Sequence, residues 1–170
     1  MGGDCLNTGC VPSKALLARA GVAQKARDAS GFGVSTGSVS VDFEAVMSQV
    51  EAAIATIAPN DSVERYTALG VDVIKGWAQL ASPFEVQVND QTLSSRSIIM
   101  ASGASPIVPD VASAITVPVL TSDSIWSLQA LPQRLLVVGG GALGCEMAQA
   151  FRRLGSQVVL VAVSYTHLRA

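Results

Sequence analysis

Apolar positions change period along this chain, and each change predicts a different kind of element. From residue 12 to residue 70 they recur at helical spacing. Pro12 at a first helical position, followed by "SKALLARAGVAQKA", predicts a helix with Leu16 and Leu17 on its apolar face. The Gly/Ser-rich "SGFGVSTGSVS" then reads as a loop. Asp42 predicts an N-cap for "FEAVMSQVEAAIATIA", where Phe43, Val46, Met47, Val50, Ile54 and Ile57 form one stripe. Pro59 and Asn60 end that helix, and "DSVERYTAL" predicts a shorter one closed by Gly70.

From residue 71 the period shortens to that of strands. "VDVIKG", "WAQLA", "FEVQV" and "SIIMAS" predict four short β segments in a small meander. A loop carrying Pro106, Pro109 and Pro118 follows, then "TSDSIWSLQAL", a predicted short helix capped near Ser122. Pro132 marks a boundary. Beyond it, "LLVVGGGALGCEMAQAFRRLGSQVVLV" predicts a strand–turn–helix–strand unit with Leu143, Met147, Phe151 and Leu154 on one helix face. Within that helix Cys145 reads as a small, buried apolar residue. No internal repeat is visible.

Composition narrows the class. Of 170 residues, 49% are hydrophobic, 14% charged and 5% aromatic, which suits an α/β protein with buried parallel strands. A net charge of −2 without a basic block gives nothing to recruit a nucleic acid or an anionic membrane. The longest apolar run, "LLVVGGGALG", is too short and glycine-rich to span a bilayer. Met1 is followed at once by Gly-Gly-Asp, so the expectation is a cytoplasmic setting, where a cysteine pair is more often catalytic or metal-binding than structural.

Two of the three cysteines stand five residues apart in "GGDCLNTGCVPSKALL". In one regular helix Cys5 and Cys10 would have Cα atoms roughly 8.7 Å apart. A disulfide tolerates about 7 Å. If the sulfurs bond, "LNTG" must bend, and Asn7 and Gly9 permit that. A helix starting at Pro12 places Cys10 just before a helix N-terminus, whose N–H groups and dipole favour a thiolate, and Lys14 adds positive charge one turn on. Three uses of the pair remain open on these residues: a structural disulfide, a zinc site and a redox-active dithiol. The small loop gives a staple little entropic value. A zinc site lacks a second cysteine pair, and the single histidine, His167, lies near the end of the chain. A thioredoxin-type exchanger is disfavoured by the C-x4-C spacing.

The same segment resembles, over about fourteen consecutive positions, the active-site stretch of the pyridine nucleotide–disulfide oxidoreductases. That flavoenzyme group contains dihydrolipoamide dehydrogenase, glutathione reductase and mercuric reductase. The resemblance implies that Cys5 exchanges with substrate, that Cys10 is the thiolate against the flavin, and that Lys14 touches the flavin. Gly3 falls in the same FAD-side segment.

Gly139, Gly141 and Gly144 spell G-x-G-x-x-G after an apolar strand and at the opening of a helix, the context a dinucleotide fingerprint requires. A glycine-rich turn that binds nothing is the plain alternative. "GGGALGCEMA", which includes Gly140, is similar to the family's NAD(P)H-binding unit. Its Glu146 falls on a glutamate that pairs with the flavin-side lysine, so Lys14 and Glu146 are expected neighbours. The residue that would choose between NADH and NADPH belongs near Ala162. "IIMASGASPIVP" resembles the segment that closes over FAD, with Ser102 in place of the usual threonine and Gly103 after it. "GWAQL" is similar to the stretch contacting the FAD adenine around Ala78.

The resemblance covers residues 2–161. It implies the fold class α/β, as a partial FAD-binding Rossmann-like domain with a small β meander (residues 1–131), followed by the first βαβ unit of an NAD(P)-binding Rossmann domain (residues 132–161). The family's first glycine-motif unit and its C-terminal dimerisation domain have no counterpart here, so the expectation is an internal fragment of a homodimeric enzyme. That enzyme would transfer electrons between NAD(P)H and a small-molecule, metal-ion or disulfide substrate through FAD and the Cys5–Cys10 disulfide. The wording is most similar to the mercuric-reductase-like branch, with dihydrolipoamide dehydrogenase the alternative. A fragment without activity of its own is the alternative of another class. The last nine residues, "AVSYTHLRA" (162–170), continue no element and resemble translated sequencing-adapter read-through.

Overall fold

A computed structural model describes residues 2–110 and 116–162. The cysteines ride on two consecutive helices, α1 (Gly3–Asn7) and α2 (Cys10–Asp28), separated only by Thr8 and Gly9. The bend expected within "LNTG" therefore falls at its last two residues. Gly9 is needed there because a Cβ would stand 2.9 Å from the Asp4 carbonyl oxygen. Helix α2 starts two residues earlier than the sequence reading placed it. Its first backbone bond runs from the Ser13 N–H to the Gly9 carbonyl, 3.0 Å, so Pro12 sits where a helix has no use for a donor.

Helix α3 (Phe43–Ile57) begins as expected: Asp42 accepts from the Ala45 N–H at 3.0 Å. Phe43, Met47 and Val50 are buried, whereas Ile57, at the frayed end of the stripe, is exposed. Helix α4 (Val63–Ala68) is capped by the Ser62 hydroxyl, 3.1 Å from the Arg65 N–H, and Gly70 closes it at φ 85°.

The meander has three strands: β1 (Ala78–Ser82), β2 (Glu85–Val88) and β3 (Gln91–Ser94), antiparallel in the order β1-β2-β3. The first two match the sequence reading. "VDVIKG" and "SIIMAS" are not strands, and β3 comes from "QTLS", which the reading passed over. Apolar alternation alone does not make a strand, because each needs a neighbour to take its backbone groups. Asn89, at φ 53°, and Asp90 instead form a two-residue turn that folds "QTLS" back onto β2, pairing Val88 with Gln91. Of the apolar residues left without a strand, Ile99 is 91% exposed and Met100 71%.

Where a helix from Ser122 was predicted, the linker forms a 3-10 turn, Ile125–Ser127. Hydroxyls compete for its backbone: the Thr121 N–H donates to Ser124 Oγ at 2.9 Å, and Ser127 Oγ donates to the Ser124 carbonyl at 2.7 Å. The strand–turn–helix–strand unit forms as read. Strands β4 (Arg134–Val138) and β5 (Gln157–Val161) pair in parallel across helix α5 (Ala142–Leu154), with Arg134 opposite Gln157 and Val138 opposite Val161.

One hydrophobic core joins the N-terminal helices to this unit. Leu16 and Ala20 of α2, Phe43, Met47 and Val50 of α3, Ile125, and Met147, Ala150, Phe151 and Leu154 of α5 form it, across the boundary drawn at Pro132. The Phe43 and Phe151 rings lie 6.0 Å apart and tilted, an aromatic pair at the centre. Its buried hydroxyls are paired: Ser156 Oγ donates to the Pro132 carbonyl and Ser13 Oγ to the Cys10 carbonyl. Leu135 and Val158 pack on the core from one side of β4–β5, while Leu136 and Val159 on the other side are 59% and 61% exposed. Residues 163–170 of the adapter-like segment lie outside the described residues; Ala162 follows β5 directly.

Candidate functional site

Helix α2 carries the chemistry on its first turn and the packing behind it. Cys10 is its first residue, Pro12 and Ser13 are buried, and Lys14 projects into solvent. Cys5 and Cys10 are both exposed thiols. A hydrogen bond with Cys10 is the main influence raising the Cys5 thiol above its ordinary value, followed by lost hydration and by the charge on Cys10. Cys5 thus holds its proton more tightly than a free cysteine does, while Cys10 stands at the N-terminus of α2.

Lys14 Nζ lies 2.5 Å from Glu146 Oε1. Their hydrogen bond holds the Glu146 carboxyl below its usual range, with burial opposing. A second cross-tie joins the far ends of the same helices, where the Arg27 guanidinium donates to the Arg153 carbonyl at the end of α5. The two contacts order α2 and α5 in the same direction, so their N-terminal turns, one bearing Cys10 and the other the glycine motif, sit at one end of the pair.

The glycine turn is shaped by close approach. A Cβ on Gly144 would meet the Gly139 carbonyl oxygen at 2.1 Å, and one on Gly140 would meet Ala162 Cβ at 2.9 Å. Gly139 takes φ 125°, and its N–H donates to the Val161 carbonyl at 2.8 Å, seating the turn against the end of β5. A Cβ on Gly141, the N-cap of α5, would meet nothing within 4 Å. The residues fit a dinucleotide: backbone pressed inward at Gly144, open space before Gly141, and first-turn N–H groups of α5 without helical acceptors.

The residues that the resemblance assigns to FAD are partly assembled. Gly103, at φ 73°, lies beside α1, and a Cβ on it would be 3.6 Å from Asp4 Oδ1. Ser102 and Gly103 are thus brought to the cysteine segment, where Gly3 opens α1. Ala78 sits in the meander opposite Val88, outside the helical core.

Cys145 departs from its expected place. It is exposed, with its thiol directed at the Gly140 carbonyl, 3.5 Å away. Nine residues before Leu154 at about 100° per residue, it falls on the face of α5 opposite the buried one. A contact that spacing gives no hint of joins Trp126 to Thr8: the indole N–H donates to the Thr8 carbonyl at 3.1 Å, across 118 residues. Among the described residues no cluster of three or more His, Cys, Asp or Glu side chains is placed to hold a metal ion. Among them, too, no helix is long and apolar enough to cross a membrane.

The chain is similar to proteins already known. The chain is 38% identical over 169 residues to a mercuric reductase of Streptomyces lividans, covering 94% of this chain and 35% of the relative. It is 34% identical over 169 residues to a dihydrolipoyl dehydrogenase of Chlamydia muridarum, covering 96% and 36%. The chain thus spans about a third of the length of the curated relatives it matches. In structure it resembles the HOCl-induced flavoprotein disulfide reductase RclA of Escherichia coli, with a TM-score of 0.70, 24% identity, and coverage of 94% of this chain and 33% of that one. This likeness bears out the mixed α/β fold. Members of the disulfide reductase group use FAD and NAD(P)H. With residues 1–170 matched by the description "Pyridine nucleotide-disulphide oxidoreductase", the chain belongs to that family.

Proposed function

We propose that the protein to which this chain contributes transfers electrons between NAD(P)H and an oxidised substrate by way of FAD and the Cys5–Cys10 pair, in the manner of a mercuric reductase. The observation that carries the reading is the common end of α2 and α5, where the cysteine turn and the glycine turn are tied together by Lys14 and Glu146. On this reading residues 1–131 belong to the FAD-binding domain and 132–161 open the NAD(P)H-binding domain. Gly139, Gly140, Gly141 and Gly144 receive a nucleotide pyrophosphate. Gly3, Ala78, Ser102 and Gly103 face FAD.

Held by these residues, NAD(P)H and FAD would supply two electrons, delivered as a hydride and passed on to the protein sulfurs. The Cys5–Cys10 disulfide takes up those two electrons with one proton, leaving a thiol on Cys5 and a thiolate on Cys10. Cys10, at the helix N-terminus, holds charge as a thiolate, and Lys14 offsets it. Cys5, which keeps the proton, is the outer sulfur that meets substrate once deprotonated. Mercuric ion would leave as the metal after accepting two electrons. The dihydrolipoyl dehydrogenase likeness favours a second substrate class, a dithiol oxidised in the reverse direction.

The working protein is proposed to be a cytoplasmic homodimer without a role on membranes or nucleic acids. The 170-residue chain alone is proposed to be inactive, because both faces of a parallel sheet normally need cover and one face of β4–β5 is bare. The decisive experiment supplies the FAD-reconstituted protein with NADH or NADPH and either mercuric ion or lipoamide. Nucleotide oxidation that depends on mercuric ion and disappears in Cys5→Ser and Cys10→Ser supports the reading. Turnover that survives both substitutions refutes it.

A further inference from the structure

Thr8 and Gly9 are the only non-helical residues between the two cysteines, so the orientation of their shared peptide sets how Cys5 on α1 faces Cys10 on α2. The N–H of Thr8 is already used, donating to the Asp4 carbonyl at 2.9 Å. Its carbonyl is held from outside, by the Trp126 indole N–H at 3.1 Å. Trp126 is half-buried on the 3-10 turn Ile125–Ser127, whose neighbour Ile125 is buried in the core. The bend is therefore anchored to the core by a side chain that belongs to neither cysteine helix.

We propose that Trp126 is a positioning residue for the redox pair: its N–H fixes the Thr8–Gly9 peptide and so holds Cys5 and Cys10 at bonding distance. The proposal rests on the dithiol reading above. The Cys5 thiol is raised chiefly by Cys10, an influence that fits two thiols facing each other across the bend. A neutral hydrogen bond of ordinary strength, lost from such a bend, lowers the equilibrium constant for closing the disulfide by about five-fold.

The test equilibrates the chain with glutathione and glutathione disulfide. One Cys thiolate attacks glutathione disulfide and forms a mixed disulfide as one glutathione leaves. The second Cys thiolate then closes the Cys5–Cys10 bond as the other glutathione leaves. Two thiols are oxidised, one glutathione disulfide is reduced, and two glutathione molecules take the protons. Trypsin leaves both cysteines on the peptide ending at Lys14, where the disulfide form is two hydrogens lighter in mass.

Trp126→Phe keeps an aromatic ring and removes the donor; it is expected to lower the disulfide-forming constant about five-fold. Trp77→Phe, at the exposed tryptophan of the meander, is expected to leave it unchanged. Ile125→Ala thins the packing of the same turn but keeps the indole N–H, and is expected to lower the melting temperature with less than a two-fold change in the constant. A wild-type constant in Trp126→Phe, or an equal drop in Ile125→Ala, overturns the proposal and leaves the dithiol reading standing. A wild-type chain that never closes the bond overturns both. Should Trp126→Phe not fold, the indole N–H signals of the wild-type chain decide. That of Trp126 is expected to exchange with solvent at least ten-fold more slowly than that of Trp77, and to move when the pair is oxidised; equal exchange or an unmoved signal overturns the proposal.

Discussion

Lys14 and Glu146 are 132 residues apart in sequence and joined side chain to side chain, Nζ to Oε1 at 2.5 Å. Lys14 is 62% exposed and Glu146 24%, so the pair is half in water and contributes modestly to stability, about 0.2–1 kcal/mol by analogy with exposed ion pairs. Its larger consequence is geometric: it registers the cysteine-bearing helix against the glycine-turn helix.

This pair gives the first prediction, a pH dependence. The hydrogen bond from Lys14 depresses the Glu146 carboxyl below its reference value of 4.5, with burial opposing. A depressed acid stabilises the fold above its unfolded value, and that stability is lost as pH falls through the lower, folded value. Denaturant melts of wild type and Glu146→Gln should therefore differ at pH 7 and converge as the pH falls below 4.5 and through the depressed folded value. An unchanged difference at both pH values would assign the effect to packing and not to charge.

The second prediction concerns the thiols. Cys5 is raised chiefly through its hydrogen bond with Cys10, with lost hydration and the charge on Cys10 adding to it. In Cys10→Ala the bond and the charge vanish together, so the midpoint of the Cys5 alkylation profile should move to lower pH. Iodoacetamide modification at pH 8 should then be several-fold faster than in reduced wild type, since only the thiolate reacts. An upward move of the midpoint would mean that Cys10 had been assisting ionisation of Cys5.

The third prediction separates two glycines of one motif. Gly144→Ala drives a methyl group to within 2.1 Å of the Gly139 carbonyl oxygen and should destabilise the unit by about 1–3 kcal/mol, read from denaturant melts. Gly141→Ala meets open space at φ −71°, so stability should change by less than about 0.5 kcal/mol. Its methyl group would occupy the space proposed for the pyrophosphate, and NAD(P)H binding should weaken at least ten-fold in a fluorescence titration. Intact binding in Gly141→Ala would move the nucleotide elsewhere.

Local sequence determined those features whose cause is local. Asp42 before a helical stripe, the Gly70 stop, the β4–α5–β5 unit and the bend forced between Cys5 and Cys10 each depend on a few neighbouring residues whose caps, turns and periodicity act within one or two turns of chain. The Lys14–Glu146 pairing came from family resemblance, since nothing in spacing ties residue 14 to residue 146. Tertiary structure decided the rest, because it depends on partners that spacing does not name. "SIIMAS" has a strand's apolar run but no neighbour to pair with, while polar "QTLS" becomes a strand because the turn at Asn89 lays it against β2. Cys145 lost its buried place to the angular count from Leu154, and Trp126 found Thr8 only through the folding of the linker onto the cysteine turn. Hydrogen bonds within a turn are paid for by fixing a few torsions; a contact across 118 residues forms only once the shared core of α2, α3 and α5 has closed the loop between them.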